Sequence, residues 1–212
     1  MRLRFKPWAI PELEENELVY FDPKENKGKW REVFGNDNPI HLDIGAGRGK
    51  FTNVMAENNP DINYVAIEFD AKAFVYAGRK FEESGLANIR GIKDIAQKLG
   101  EFFEEDEADK IYVNFSNPWP KRSQHKRRLT HPNFLKIYKS ILKNGGEIEQ
   151  KTDNREFFEA SIKYYEKMGF EIVEETTDLK REDKSDNIVT EYEAKWRNMG
   201  IPICYAKIKN VK

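Results

Sequence analysis

Short apolar segments alternate with amphipathic segments along most of this 212-residue chain, and this alternation limits the fold more than any other feature. An apolar segment rich in β-branched or aromatic residues predicts a strand, and a longer amphipathic segment predicts a helix. Strands that alternate with helices build βαβ units, whose strands run parallel and are covered on both faces. The sequence therefore predicts an α/β fold around one mostly parallel sheet, with helices on both faces.

Seven strands and six helices follow from this pattern, and only a short helix separates the last two strands. These two strands are expected to pair antiparallel at an edge of the sheet. The predicted strands are residues 39–45, 62–68, 88–93, 109–115, 145–152, 170–177 and 202–209. The predicted helices are residues 50–58, 71–84, about 95–103, 132–142, 155–167 and 190–200.

The first 38 residues differ in composition from the rest of the chain. Residues 1–38 are rich in Pro, Gly, Asn and charge, which predicts a basic N-terminal arm with a short helix rather than core. Residues 39–212 are predicted to form a single domain, because a chain of this length supports one sizeable core but hardly two.

Charge and cysteine content narrow the function classes. The net charge is −1, so a role in nucleic-acid binding must rest on local patches rather than on overall charge. The single cysteine, Cys204, excludes an internal disulfide and fits a reducing, cytoplasmic location. No apolar run approaches the roughly 20 residues that span a bilayer, and the N-terminus lacks the apolar region of a signal peptide. Since His125 and His131 have no metal-ligand pattern around them, no metal site is predicted.

A glycine-rich turn follows the first predicted strand. It contains Gly45, Gly47 and Gly49, and Asp43 comes just before it. Such a turn allows a ligand to approach the backbone closely, but the third glycine comes one residue too early for the dinucleotide fingerprint. A carboxylate at position 43 would repel a pyrophosphate and suit a cationic ligand. S-adenosylmethionine, which carries a sulfonium and an amino group, is the predicted cofactor; the alternative is a tight turn without a ligand.

Two further acids follow the next predicted strands. Glu68 ends the second strand, at the position where an acid accepts hydrogen bonds from ribose hydroxyls in Rossmann-type sites. Asp94 follows the third strand, where a carboxylate either accepts from the adenine amino group or caps the next helix. The sequence leaves both interpretations of Asp94 open.

The fourth predicted strand runs into a stiff, cationic loop, NFSNPWPKRSQHKRR, at residues 114–128. Two prolines fix φ on either side of Trp119, whose ring either stacks on a base or packs inward. The cations after the loop are predicted to contact nucleic-acid phosphates, since they follow the strand end where a ligand should lie. They are Lys121, Arg122, Lys126, Arg127 and Arg128, and the N-terminal Arg2, Arg4, Lys6, Lys29 and Arg31 would extend that surface.

Several segments together resemble the bacterial TrmB family of tRNA (guanine-N7-)-methyltransferases. They are DIGAGRGKF at 43–51, NFSNPWPK at 114–121 with HKRRLTHPNFL at 125–135, KTDNREFF at 151–158 and TEYE at 190–193. The resemblance covers nearly the whole chain. The PWPK-to-RRL segment with TDN and TEYE is far more specific than the glycine motif, which many methyltransferases share.

The resemblance implies a class I S-adenosylmethionine-dependent methyltransferase with a Rossmann-like, seven-stranded sheet that has one antiparallel edge strand. It implies methyl transfer to N7 of guanine 46 in the variable loop of tRNA, with Asn117 at the family's catalytic position. By matched motif position, the cofactor site would comprise Asp43, Gly45, Gly47, Gly49, Glu68, Asp94 and Asn117. The tRNA guanosine would be met by Lys121, Asp153, Thr190, Glu191, Tyr192 and Glu193.

Two positions depart from the family pattern, which usually has Glu at position 43 and Asp at position 117. The second departure affects the residue at the family's catalytic position. Guanine N7 carries a lone pair and no proton, so methylating it needs no general base. We therefore expect Asn117 to orient the reactants while Asp153 or Glu193 supplies the negative charge that the cationic product favours.

Two alternatives remain open on the sequence. An exocyclic-amine methyltransferase has a motif that also opens with Asn-Pro at this strand end, and a non-catalytic tRNA-binding homologue would follow if Asn117 abolished activity. A dinucleotide-dependent oxidoreductase is disfavoured by Asp43 and the glycine spacing. The sequence does not decide between a monomer and a homodimer.

Overall fold

The computed structural model describes residues 6–180 and 187–212. Within these residues the strands are β1 (Val19–Tyr20), β2 (Ile40–Ile44), β3 (Asn63–Ile67), β4 (Ile89–Ile92), β5 (Ala108–Asn114), β6 (Leu142–Thr152), β7 (Phe170–Thr176) and β8 (Cys204–Asn210). They form one eight-stranded sheet in the order β1-β4-β3-β2-β5-β6-β8-β7. The strands from β1 to β6 pair in parallel, whereas β8 runs antiparallel to both β6 and β7.

Eight α-helices connect or flank these strands in the described residues. They are α1 (Ala9–Glu15), α2 (Trp30–Phe34), α3 (Lys50–Asn58), α4 (Ala71–Ser84), α5 (Leu99–Phe102), α6 (Pro132–Ile141), α7 (Arg155–Lys167) and α8 (Glu191–Asn198). Short 3₁₀ turns span Lys24–Asn26, Ala96–Lys98 and Arg122–Arg127. Local sequence sets several boundaries: for example, α4 begins after Asp70, whose side chain accepts from the Lys72 amide, and ends at Gly85 in the left-handed conformation.

The predicted fold class is confirmed, with one additional strand. All seven predicted strands are present, and the last two pair antiparallel at one end of the sheet. The antiparallel strand β8 lies one position inside the edge, which β7 occupies. The eighth strand, β1, has only two residues, too few to show a period in the sequence. The backbone identifies it, because the Gly91 amide donates to the Leu18 carbonyl and the Lys93 amide to the Tyr20 carbonyl.

Side chains of successive residues enter different cores on the two faces of the sheet. On β5, Ile111 and Val113 join the larger cluster, which α5, α6 and α7 cover. Tyr112, between them, joins the second cluster, which α3 and α4 cover. The sheet is thus buried on both faces in its centre, as a parallel sheet requires.

The segment before residue 39 packs closely against the domain. Trp30 is fully buried, its indole N–H donates to the Phe102 carbonyl at 2.9 Å, and its ring stacks on Phe103 with centroids 5.2 Å apart. Trp30 therefore belongs to the core, whereas composition suggested an arm outside it. The boundary near residue 38 stays a prediction.

Replacing Trp30 tests this packing. Because Trp30→Ala removes a buried indole and its hydrogen bond, we expect the free energy of unfolding to fall by about 3–5 kcal/mol. Trp8→Ala is the control, since Trp8 is exposed, and it should cost far less. Urea unfolding followed by circular dichroism measures both, and equal losses would contradict the assignment of Trp30 to the core.

Candidate active site

The polar side chains singled out in the sequence meet at one edge of the sheet. Because β2, β3, β4 and β5 run parallel, their carboxyl ends lie at the same edge, where open α/β sheets bind ligands. Asp43 lies in β2, Glu68 directly follows β3, Asp94 lies two residues after β4, and Asn117 lies three residues after β5. The structure therefore brings the predicted cofactor residues to a common edge.

The turn between β2 and α3 depends on its glycines. Gly45, Gly47 and Gly49 have φ of 84°, 59° and 69°, a region that other residues rarely adopt. A Cβ at Gly49 would lie 2.6 Å from the Cβ of Ala77, so this glycine allows α3 to pack on α4. A Cβ at Gly47 would meet nothing within 4 Å. The backbone at Gly47 thus borders open space, as a ligand site requires.

Asp43 is buried at the base of this turn and is 2% exposed. Its Oδ2 accepts a hydrogen bond of 2.6 Å from the Thr52 hydroxyl. Burial raises the pKa of Asp43 to about 7; the Thr52 bond opposes this, and the nearby Glu68 carboxylate adds to it. A cation beside Asp43 would relieve this penalty, because it favours the ionised carboxylate.

Glu68 holds the glycine turn from the neighbouring strand. Its two carboxylate oxygens accept from the Gly47 amide at 3.0 Å and from the Asp70 amide at 2.9 Å. Burial raises the pKa of Glu68, while these amides oppose the shift. Each oxygen keeps a further lone pair, so the carboxylate still has acceptor capacity for ligand hydroxyls.

Asp94 is engaged with its own loop. One carboxylate oxygen accepts from the Ile95 amide at 2.7 Å, and the other forms an ion pair of 2.8 Å with Lys98. Like a capping residue, Asp94 accepts a hydrogen bond from a main-chain amide just before the next element. That element is a 3₁₀ turn, and its first residues have no side-chain cap. An adenine contact by Asp94 stays a prediction.

The loop after β5 is held in a strained conformation. Phe115 and Trp119 both have positive φ, 49° and 42°, which costs about 1–3 kcal/mol for each such residue. Asn117 lies exposed between them, and its Oδ1 accepts from the Trp119 amide at 3.0 Å. This bond closes a local turn through the side-chain oxygen of Asn117. Strain of this kind clusters at functional sites.

Arg128 holds this loop from inside the protein. It is 2% exposed, and its guanidinium donates to the carbonyls of Pro118 at 2.7 Å and Trp119 at 3.4 Å. The sequence assigned Arg128 to the tRNA backbone, but a buried guanidinium bonded to main-chain carbonyls does not reach a phosphate. A charge run in a sequence gives no sign of which cation turns inward.

The other four predicted cations of this loop lie at the surface. Lys121, Arg122, Lys126 and Arg127 are exposed, around the 3₁₀ turn at Arg122–Arg127. The Arg127 guanidinium lies 5.1 Å from the centroid of the half-buried Trp119 ring. Of the N-terminal cations, Lys29 and Arg31 are exposed, and Lys6 donates to the Tyr76 hydroxyl at 2.6 Å. Arg2 and Arg4 lie outside the described residues.

A second group of predicted residues lies at the end of β6 and the start of α8. Asp153 is half-buried and directly follows β6. Thr190 caps α8, its hydroxyl oxygen accepting from the Glu193 amide at 3.0 Å. Glu191 and Tyr192 are exposed, and the Tyr192 ring stacks on Phe115 with centroids 6.2 Å apart. This stack joins the start of α8 to the strained loop.

Glu193 does not face the surface with its neighbours. It is fully buried, and its carboxylate accepts from Asn187, from Arg197 and from Lys151. Sequence reasoning missed Lys151 and Asn187. A lysine near the end of a predicted strand was the available signal, because strand lysines seldom lie buried without a partner.

The residues that the structure describes contain neither a metal-binding cluster nor a membrane-spanning helix. No group of three or more His, Cys, Asp or Glu side chains within them is arranged to hold a metal ion. None of the helices in residues 6–180 and 187–212 combines the length and apolarity needed to cross a membrane.

Comparisons with known proteins place the chain among methyltransferases. A family model described as "Putative methyltransferase" matches residues 37–206. The tRNA (guanine-N(7)-)-methyltransferase of Clostridium tetani (strain Massachusetts / E88) is 48% identical over 211 residues, 99% of this chain and 100% of the relative. That of Desulfitobacterium hafniense (strain Y51) is 47% identical over 203 residues, 96% of this chain and 94% of the relative. That of Bacillus subtilis (strain 168) is 43% identical over 210 residues, 99% of each chain.

Solved structures show the same architecture at low identity. The 16S rRNA methyltransferase KamB aligns with a TM-score of 0.68 at 15% identity and covers 87% of this chain and 94% of its own. A SAM-dependent methyltransferase from Aquifex aeolicus aligns with a TM-score of 0.59 at 17% identity and covers 98% of this chain and 100% of its own. At such identities, the likeness concerns the fold alone.

The raised pKa of Asp43 predicts a pH effect on stability. The folded pKa of about 7 exceeds the ordinary 3.8, so the folded state binds the proton more tightly. This stabilisation is fully present below about pH 4 and is lost as pH rises towards about 7. Relative to Asp43→Asn, the wild type should lose on the order of a few kcal/mol across that interval, as urea unfolding at several pH values would show.

A surface aspartate supplies the control for this measurement. Asp37 has a side chain that is 95% exposed, so Asp37→Asn should leave the pH dependence of unfolding unchanged. If Asp43→Asn followed the same pH curve as the wild type, burial would not be perturbing this carboxyl group.

Proposed function

The chain belongs to the tRNA (guanine-N7-)-methyltransferase family, and from this membership we propose that it methylates N7 of guanine 46 in the variable loop of tRNA. The methyl donor is S-adenosylmethionine. Identities of 43–48% over nearly the whole chain are the observation that carries this function. We further infer that the enzyme works in the cytoplasm. That compartment is reducing, which suits a protein with a single cysteine, and it contains the tRNA substrate.

The site at the carboxyl edge of the sheet fits the cofactor. S-adenosylmethionine, when bound, supplies an electrophilic methyl group on a positively charged sulfur. Asp43, a buried carboxylate with a raised pKa, favours a neighbouring cation, and Gly47 leaves open space beside its backbone. Glu68 would accept ribose hydroxyls while it holds the glycine turn. Asp94, at the same edge, would accept from the adenine amino group through a carboxylate lone pair that neither the Ile95 amide nor Lys98 uses.

The reaction depends on positioning of the reactants more than on proton transfer. Guanine N7 has a lone pair and no proton, so the reaction needs no general base. The protein must instead align N7 with the methyl carbon of the cofactor. The purine becomes cationic as N7 gains its methyl group, and a carboxylate beside the N1–H and N2–H₂ groups would stabilise that charge. Asp153 is the better candidate for this role, because Glu193 already has three protein partners.

The strained loop would supply orientation. Asn117 is held by its bond to the Trp119 amide, and the buried Arg128 holds the same loop by donating to the Pro118 carbonyl. An exposed NH₂ group at this position is a hydrogen-bond donor for an acceptor on the substrate or cofactor. Lys121, Arg122, Lys126 and Arg127 then form an exposed surface for tRNA phosphates, which makes binding salt-dependent.

Methyl transfer to unmodified tRNA transcripts tests the proposed reaction. We expect labelled methyl groups to enter the transcript and the product to be cleaved by borohydride and aniline, as N7-methylguanosine is and an exocyclic methylamine is not. A transcript with adenine in place of guanine 46 should incorporate almost none. Equal incorporation into both transcripts would sink the assignment to this position, and binding without turnover would favour a non-catalytic protein.

Variants at position 117 test the amide. Asn117→Asp restores an anion close to the purine as it becomes cationic, so we expect a kcat equal to or above that of the parent. Asn117→Ala removes the turn bond to Trp119 and any ligand contact, and should lower kcat by roughly tenfold or more. Ser123→Ala, at an exposed position in the next turn, is the control. An alanine variant as fast as the parent would remove Asn117 from the mechanism.

A further inference from the structure

A buried ion pair lies at the start of α8, among the residues that the family resemblance assigns to the tRNA guanosine. Lys151 in β6 and Glu193 in α8 are 5% and 0% exposed, and their charged atoms are 3.4 Å apart. Removing two charges from water costs several kcal/mol per ion, and mutual attraction often fails to offset that cost. Stability alone therefore gives little reason for a lysine here.

The ion pair connects two parts of the chain that are distant in sequence. Lys151 Nζ also donates to the Ile188 carbonyl at 3.3 Å and to the Asn187 side chain. Asn187 in turn donates to Glu193 at 2.9 Å, which closes the network. One lysine on the sheet thus binds both the segment that precedes α8 and the first turn of the helix itself.

The two ends of this connection adjoin the residues that the family resemblance assigns to guanosine. Asp153 lies two residues after Lys151, and Thr190 lies three residues before Glu193, whose amide it caps. The Lys151–Glu193 pair therefore joins the end of β6 to the start of α8. A segment held by one polar network adopts one position, and a shift of that segment weakens the contacts that it would make with a bound guanosine.

We propose that Lys151 is a positioning residue for the tRNA guanosine, because it fixes the segment from residue 187 to Glu193 against β6. Lys151 acts through Asn187, Ile188 and Glu193 rather than by touching the substrate. This inference rests on the proposed function, since it concerns the same site.

Arg197 provides a matched control. Its guanidinium binds the same Glu193 carboxylate, at 3.0 and 2.9 Å, but it belongs to α8 itself. Lys151→Met and Arg197→Met each remove one cation from Glu193, and only Lys151→Met cuts the connection between the helix and the sheet. A role limited to balancing the charge of Glu193 would make the two variants alike.

The test compares the two variants in steady-state kinetics and in amide hydrogen exchange. For Lys151→Met we expect KM for tRNA to rise about tenfold while kcat changes by less than about threefold, because the displaced segment would contact the guanosine less well in the ground and transition states alike. Its dissociation constant for S-adenosylmethionine, measured by calorimetry, should stay within about twofold of the wild type, since Asp43 and Glu68 lie on other strands. Arg197→Met should keep the wild-type KM for tRNA.

Hydrogen exchange separates this proposal from the proposed function. Amides in residues 187–193 should exchange faster in Lys151→Met than in Arg197→Met, whether or not tRNA is a substrate. A wild type that does not methylate tRNA would overturn the proposed function; unchanged exchange, or an equal KM in both variants, would overturn the role of Lys151. If Lys151→Met does not fold, as loss of S-adenosylmethionine binding would reveal, Asn187→Ala tests the same network from its half-buried end and should raise KM for tRNA.

Discussion

Four parallel strands that end at one edge of the sheet are the constraint on which the site depends. The chain returns through a crossover between these strands, and β3 and β4 lie on one side of β2 while β5 lies on the other, so all four strands end at the same edge. For this reason alone, four residues that follow one another at intervals of about 25 along the chain share that edge: Asp43, Glu68, Asp94 and Asn117. The chemistry is therefore a consequence of strand direction, and loops carry it because loops follow the strand ends.

Three buried carboxylates in this region differ in the groups that stabilise them. Asp43 has one hydroxyl partner and a pKa raised to about 7 by burial, so it favours an incoming cation. Glu68 is held by main-chain amides, which makes it part of the frame of the glycine turn. Glu193 is surrounded by side-chain donors, since Asn187, Lys151 and Arg197 all bind its carboxylate. Residue type alone does not distinguish these roles, since partners and burial decide them.

The loop after β5 shows how a motif and its conformation contribute separately. The sequence indicated a stiff loop with an amide at position 117, and the motif carried the family resemblance. The structure adds positive φ at Phe115 and Trp119 and a buried Arg128 that binds two carbonyls of the loop. Main-chain strain persists only where surrounding contacts compensate for it, and the bonds from Arg128 are such contacts. Whether Trp119 stacks on a base stays a prediction, with Arg127 now placed beside its ring.

The sequence by itself determined the α/β class, the seven main strands, the cofactor type and the family, because hydrophobic periodicity and contiguous motifs are local properties of the chain. Tertiary structure alone decided that Trp30 is core, that β1 is a strand, that Arg128 turns inward and that Lys151 meets Glu193. Each of these depends on a contact between residues far apart in the sequence, or on which of several like charges is buried. Burial and long-range pairing are set by packing, and no local pattern encodes them.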